Sequence, residues 1–446
     1  MEMLLGLLVM AVLTGLDICK ALWGFGWGLF CALYALAVLA FVGLNVIPCW
    51  EKPLFSRLHI MLGGARLARL SAFCLTLGLL AGGWCLFSLF PRRGLEVGWL
   101  PVTIHVLVLL LWCGLAALGG FVRMYLTSVQ MGIKWRVLFL LFWWVPFVNL
   151  ALAGKICRLV RREYDFETAK QELNVVRRQN EVCKTKYPIL LVHGVFFRDR
   201  KYFNYWGRIP GELKRNGAEI FYGNQQSAAA TPQSAQQLKE RILEVCQETG
   251  SEKVNIIAHS KGGLESRWAV SQLGMAPYVA SLTTINTPHE GCTFVDWLLE
   301  KMPKSLCRFL ARRYDGALRR LGDENPDFMA AVTDLTHKRC MELGEQTPPP
   351  PEVFCQSVGS QMKNCFSAPF PLNLCWLLVR FFEKNNDGLV ALEAMEWGER
   401  FQQARSPSRR GLSHGDMIDL NRQNIPGFDV REFYVELVKD LKARGF

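Results

Sequence analysis

Histidine is scarce here: seven residues in 446. That leaves few side chains able to take a proton near neutral pH. No stretch interleaves basic and aromatic residues as nucleic-acid binders do. The formal charge of +12 therefore fits an anionic surface better than a nucleic acid. The eight cysteines from Cys183 onward (Cys183, Cys246, Cys292, Cys307, Cys340, Cys355, Cys365 and Cys375) match neither a compact disulfide framework nor a zinc spacing. They read as buried free thiols. Charge is missing from long runs of the N-terminal third, which excludes a wholly soluble chain.

Those runs come first. The segment 21–47, "ALWGFGWGLFCALYALAVLAFVGLNVI", carries no charge and exceeds the roughly 20 residues that span a bilayer core. The segments 71–90, 98–122 and 135–154 repeat the pattern, with Trp135, Trp143 and Trp144 as interface anchors. A fifth run, 3–16, ends before Asp17 and reads as a short or tilted span. His105 reads as a hydrogen-bonded interior histidine. Basic residues on alternate loops, such as Arg57, Arg66 and Arg123 against Arg92, Arg158 and Arg161, do not fix the orientation. Domain boundaries follow: 1–154 transmembrane helices, 155–187 a charged helical linker that lies along lipid headgroups or in solvent, and 188–446 a second domain.

From residue 188 the pattern changes to strands alternating with helices. "PILLV", "AEIFYG", "KVNIIAH" and "SLTTIN" read as buried strands. Between them lie helical stretches, one of them opened by Thr231 as N-cap with Pro232 in its first turn. This alternation implies a mostly parallel sheet covered by helices on both faces, with ligands at the carboxyl ends of its strands.

At one such end stands "NIIAHSKGGLESR" (255–267). A serine between a buried strand and a glycine-bearing helix start reads as a sharp turn that lifts the Ser260 hydroxyl clear of the sheet. Such a hydroxyl needs a base. His259 adjoins the serine and points elsewhere, and His193 and His289 precede the region where a base is expected. His337 and His414 follow it. His414, in "GLSHGDMID", is preferred because His337 falls in the insert described below. For the acid, Asp387 in "NNDG" follows an apolar run, 377–382, that reads as a strand; a plain tight turn is the simpler reading of the same residues. The backbone N–H groups of Val195 and Lys261 are the candidate oxyanion donors. His193, Gly194, His259 and Gly262 would support the two loops.

Together "YPILLVHGVFF", "NIIAHSKGG", "TTINTPHEG", "PDFMAAVTDLT", "FCQSVGS", "NNDGLV" and "SHGDMID" resemble successive landmarks of the bacterial triacylglycerol lipases of the Pseudomonas, Burkholderia and Staphylococcus type. The resemblance runs from about residue 187 to the C-terminus. It implies an α/β-hydrolase fold, carboxylic-ester hydrolysis, and the roles of nucleophile for Ser260, acid for Asp387, base for His414 and oxyanion donors for Val195 and Lys261. Its members are secreted, which favours the extracytoplasmic side of a bacterial cell membrane for this domain.

Two departures stand out. Lys261 replaces the more usual Gln, His or Met, so its ammonium either contacts a lipid phosphate or carboxylate or points to solvent. Many members bind structural calcium through an aspartate at the place of Asp416. Yet no aspartate lies between residues 360 and 386 to supply a second carboxylate, and calcium needs several oxygen ligands. No cofactor is expected, with a modified calcium site as the alternative.

An insert at about 291–350 opens with apolar residues at helical spacing, among them Phe294, Trp297, Leu298 and Phe309. It reads as a lid that opens on lipid or as a fixed cap. The expected protein is a multi-pass membrane serine hydrolase acting on lipid esters, with membrane lipids as its surroundings. The alternatives are a phospholipase or thioesterase on the same triad, or a transporter-like membrane protein with an accessory or inactive hydrolase domain.

Overall fold

The computed structural model describes residues 2–47, 55–92, 94, 99–195, 204–320, 322–323 and 325–446. Phe196 and Phe197 of the first loop, and Leu321 and Glu324 of the insert, therefore lie outside the described residues. The chain divides into two compact units, Met1–Glu172 and Leu173–Phe446.

The first unit is helical: α1 (Glu2–Trp23), α2 (Trp27–Val46), α3 (Arg57–Trp84), α4 (Trp99–Thr127), α5 (Gly132–Phe142) and α6 (Val148–Arg177), the last continuing into the second unit. Among the described residues, four helical segments are long and apolar enough to cross a bilayer: Met3–Trp23, Trp27–Val46, Arg57–Arg92 and Trp99–Thr127. The run at 3–16 thus belongs to a helix that continues past Asp17. The polar group is accommodated because Asp17 lies 3.5 Å from buried His105, whose Nε2 meets the Gly78 carbonyl at 3.3 Å. Segment 135–154, in contrast, is not one continuous helix. It breaks between Phe142 and Val148, where Pro146 removes a backbone donor and Phe147 takes φ +62°. Helices α3 and α4 meet backbone to backbone at Gly64 and Gly120. A Cβ on Gly64 would stand 2.6 Å from the Gly120 carbonyl oxygen, the close approach that small residues allow in lipid.

The second unit holds a six-stranded, all-parallel sheet in the order β2-β1-β3-β4-β5-β6. Its strands are β1 (Ile189–Val192), β2 (Ile220–Tyr222), β3 (Val254–His259), β4 (Val279–Ile285), β5 (Phe354–Gly359) and β6 (Arg400–Gln403). Period-two alternation divides the central strands between two cores. Ile189, Leu191, Ile257 and Ile285 pack with Trp206 and Tyr434 on one face, the latter from the C-terminal helix Val430–Ala443. Leu190, Val192, Ile256 and Leu282 pack with Leu238, Ile242 and Val245 of α8 (Thr231–Thr249) on the other, α7 being the short helix Ile209–Arg215. Burying each such side chain stabilises the fold by roughly 1.5–3 kcal/mol, so one residue of register slip would empty both cores.

Two local expectations fail. Thr231 is the first helical residue of α8, with Ala230 at the N-cap, and the Asp334 carboxylate accepts the Thr231 N–H. A side chain from the insert has taken over the capping role. The apolar run before Asp387 is no strand. Leu372–Val379 is a helix that buries Trp376 and Val379 and exposes Leu374, Leu377 and Leu378. A short apolar run is compatible with either element until its partners are known.

The insert forms helices Thr293–Lys301, Lys304–Arg320, Phe328–Thr333 and His337–Gln346. Trp297 packs on Phe382 at 5.6 Å between ring centroids. His337 gives its Nδ1 to the Glu290 carbonyl at 2.6 Å, so it helps fix the base of the insert. All eight cysteines from Cys183 onward are free thiols. Burial pushes those of Cys183, Cys340 and Cys355 up to about 12, which keeps them protonated and unreactive.

Candidate active site

The carboxyl ends of β1, β3 and β4 and the loops carrying Asp387 and His414 converge. Ser260 lies between β3 and the helix Lys261–Gln272 with φ +56° and ψ −131°, a conformation that costs a non-glycine residue free energy and is held by its surroundings. Its N–H donates to the Ile285 carbonyl at 2.9 Å, and the Thr287 hydroxyl donates to its carbonyl at 2.8 Å. Glycine makes the tight approach possible. A Cβ on Gly194 would stand 2.8 Å from Ser260 Cβ and 2.7 Å from Tyr205 Oη, and one on Gly262 would run into the His193 carbonyl oxygen. The loop after β1 therefore sits directly against the serine.

His414 and Asp387 are joined: His414 Nδ1 donates to Asp387 Oδ2 at 2.6 Å. The fully buried carboxylate also accepts from Asn286 Nδ2 at 2.6 Å and, on its other oxygen, from the N–H groups of Leu389 and Val390, each at 2.9 Å. These last two close a turn at 387–390 that begins within "NNDG". Turn and acid are thus one structure. A carboxylate on Nδ1–H leaves Nε2 with its lone pair free to accept a proton.

The His414 ring centroid lies 4.5 Å from that of His259, the neighbour of Ser260. The Ser260 hydroxyl forms no hydrogen bond to His414 among the described residues; in unliganded sites this contact is commonly loose and tightens with substrate. His259 is fully buried with Nδ1 at 2.7 Å from Tyr205 Oη. Desolvation first, then the neighbouring His414, holds it well below its ordinary value. It is a neutral support.

The Lys261 ammonium meets neither solvent nor a site for headgroups. It is fully buried and pairs with Glu265 Oε1 at 2.6 Å. Glu265 Oε2 accepts from Gln225 Nε2 at 2.9 Å, and the same amide group donates to the His193 carbonyl at 2.9 Å. His193 Nε2 returns to the Gln225 carbonyl at 3.0 Å. The side chain of the residue after the nucleophile is thereby wired to the loop that carries Val195. Lys261 also heads its helix, so its own N–H belongs to the first turn, where no intrahelical acceptor exists.

Asp416 does not present a calcium site. Its Oδ1 accepts from Arg410 Nη2 at 2.7 Å and its Oδ2 from the Ser413 N–H at 2.8 Å. Among the described residues no group of three or more His, Cys, Asp or Glu side chains could hold a metal ion. A guanidinium against the one available carboxylate repels a divalent cation, so the residues do not fit calcium.

Asn286, Glu265, Gln225 and Arg410 were not singled out from the sequence. Glu265 stands four residues after Lys261 on one helix, a spacing that favours ion pairing. Asn286 ends "SLTTIN" at a strand's carboxyl end. Gln225 and Arg410 gave no local signal.

Residues 186–281 match the model of the lipase (class 2) family. This stretch carries the lipase pattern. The triacylglycerol lipases of Pseudarthrobacter phenanthrenivorans and Burkholderia plantarii are each 39% identical over 120 residues, 26% of this chain and 37% and 33% of theirs. The chain thus matches about a third of those relatives' length. Triacylglycerol lipase 2 of Saccharomyces cerevisiae is 24% identical over 279 residues, 56% of this chain and 78% of that one. Among solved structures, the Staphylococcus hyicus lipase covers 58% of this chain and 98% of its own, at 14% identity and a TM-score of 0.44. The mature Bacillus licheniformis lipase BlEst2 covers 57% and 92%, at 19% and 0.43. The second unit sets Ser260 on the turn after the central strand β3 of its parallel sheet, and Asp387 and His414 on later loops.

Proposed function

We propose that the chain is a membrane-held serine hydrolase cleaving carboxylic esters of lipids. The observation that carries this reading is the buried Asp387–His414 hydrogen bond beside a strained serine turn. Ser260 Oγ attacks the ester carbonyl as His414 Nε2 takes its proton. The N–H groups of Val195 and Lys261 receive the charge that develops on the carbonyl oxygen. His414 returns the proton to the departing alcohol, leaving an acyl group on Ser260. Water, activated by the same imidazole, then releases the fatty acid. Asp387 keeps Nδ1 protonated and stabilises the imidazolium throughout.

The apolar helices supply the rationale for substrate. An ester dissolved in a bilayer is reached by a search within the membrane plane, so high local concentration replaces tight binding. The amphipathic helix Lys304–Arg320 exposes Leu306 and Phe309, which suits it to contact with acyl chains. The test is labelling of the full chain in detergent with a fluorophosphonate. Label and esterase activity should both vanish in Ser260→Ala; activity persisting in that variant rejects the reading.

A further inference from the structure

The loop that carries His414 is held by a cation supplied by the chain itself. Arg410 lies four residues before the imidazole and Asp416 two residues after it. The guanidinium Nη2 donates to Asp416 Oδ1 at 2.7 Å, and its Nε donates to the Ser367 carbonyl. Asp416 in turn accepts the Ser413 N–H at 2.8 Å, next to His414. The Asp416 side chain is 4% exposed and that of Arg410 20%, so water screens this pair little. Ser367 closes a short turn whose Asn364 side chain donates to the Arg409 carbonyl at 2.8 Å. One planar group with divergent donors thus ties the turn at 364–367 to both flanks of the imidazole. It occupies the carboxylate that a bound divalent cation would need.

We propose that Arg410 is a positioning residue that does internally what a metal ion would otherwise do, crosslinking the 364–367 turn to the His414 loop, so that hydrolysis is independent of calcium. This inference rests on the Ser260–His414–Asp387 reading of the reaction. The physical reasoning is geometric. A fork of fixed N–H directions sets two acceptors at a defined separation. The backbone from 410 to 416, which carries the imidazole, is thereby fixed, and the ring stays aligned with Asp387, which holds His414 through Nδ1 at 2.6 Å and through its N–H at 2.8 Å.

The test uses the full chain in detergent with a soluble chromogenic ester, in chelator and in millimolar calcium. Wild-type kcat and the thermal unfolding midpoint should be the same in both. Arg410→Ala should lower kcat by about ten- to a hundredfold, the size of effect a displaced reacting group produces, with KM unchanged. Methylguanidinium should restore part of the loss, and Arg410→Lys, which keeps charge without the fork, should fall between. Loss of wild-type activity in chelator with recovery in calcium would overturn the proposal, as would full kcat in Arg410→Ala. The chelator arm needs no variant and stands even if Arg410→Ala does not fold. Should the wild type neither hydrolyse esters nor take a phosphonate, the triad reading fails separately. The clamp is then judged by melting alone: a midpoint raised by calcium counts against it, and one insensitive to calcium but lowered in Arg410→Ala supports it.

Discussion

Replacing Lys261 by methionine tests whether the buried ion pair organises the loop after β1. The side chains are of similar length, and the backbone N–H at 261 is retained, so the oxyanion donor is not deleted. At 2.6 Å, the Lys261–Glu265 attraction is about 6 kcal/mol at an effective dielectric constant of about 20. Desolvating both ions costs several kcal/mol each, so the intact pair contributes little net stability. Removing one partner is different. Glu265, 3% exposed, would keep its charge with only the Gln225 amide to meet it, at a cost of about 3–5 kcal/mol. Water is then drawn in beside Glu265, and Gln225 loses its orientation toward the His193 carbonyl. The expected result is a large fall in the unfolding midpoint of Lys261→Met. The double variant Lys261→Met/Glu265→Leu should recover most of that loss, giving a favourable coupling in a double-mutant cycle. The kcat of the double variant should stay reduced, because the tie between the helix start and the His193 loop is gone. Additive single effects on the midpoint, or a double variant with wild-type kcat, would refute the reasoning.

Asn286→Ala deletes a donor to the Asp387 carboxylate at 2.6 Å. A hydrogen bond to a charged group is worth about 1.5–3 kcal/mol, so kcat should fall by roughly ten- to a hundredfold with KM little changed; steady-state kinetics at saturating ester measure it. Stability should fall as pH falls. Burial first, then His414 for His259 and Arg267 for His289, hold both imidazoles well below their ordinary 6.5. The unfolded chain binds protons below that pH which the folded chain refuses, so each histidine removes about 1.4 kcal/mol per pH unit. Melting midpoints followed downward from neutral pH check this; a flat profile, or one whose slope survives His289→Gln undiminished, contradicts it.

Much of the candidate site could be named from the chain. "AHSKGG" after a run of buried apolar residues marks a strand-to-helix turn by its own composition, since glycines are needed where backbone nears backbone. His414 emerged by elimination because imidazoles are so few. Strands β1, β3 and β4 needed no partner to be read, because short runs rich in Val, Ile and Leu bounded by turn residues mark strands buried on both faces. Asp387 was placed for a reason that did not hold. Its preceding run is a helix, and the aspartate is set by its own turn and by Asn286.

The sequence by itself determined where apolar runs are long enough for lipid, where strands alternate with helices, and which hydroxyl, imidazole and carboxylate could work together. The first two depend on neighbours along the chain, and the third on residue types that are few in the chain. Tertiary structure alone decided what the buried charges meet: Lys261 with Glu265, Arg410 with Asp416, Asp334 with the start of α8. A charge taken out of water must find an opposite charge or a donor within about 3 Å. For Asp334 that partner comes from about a hundred residues away, and even where it stands four residues off, as Glu265 does, spacing alone does not say that the pair is buried.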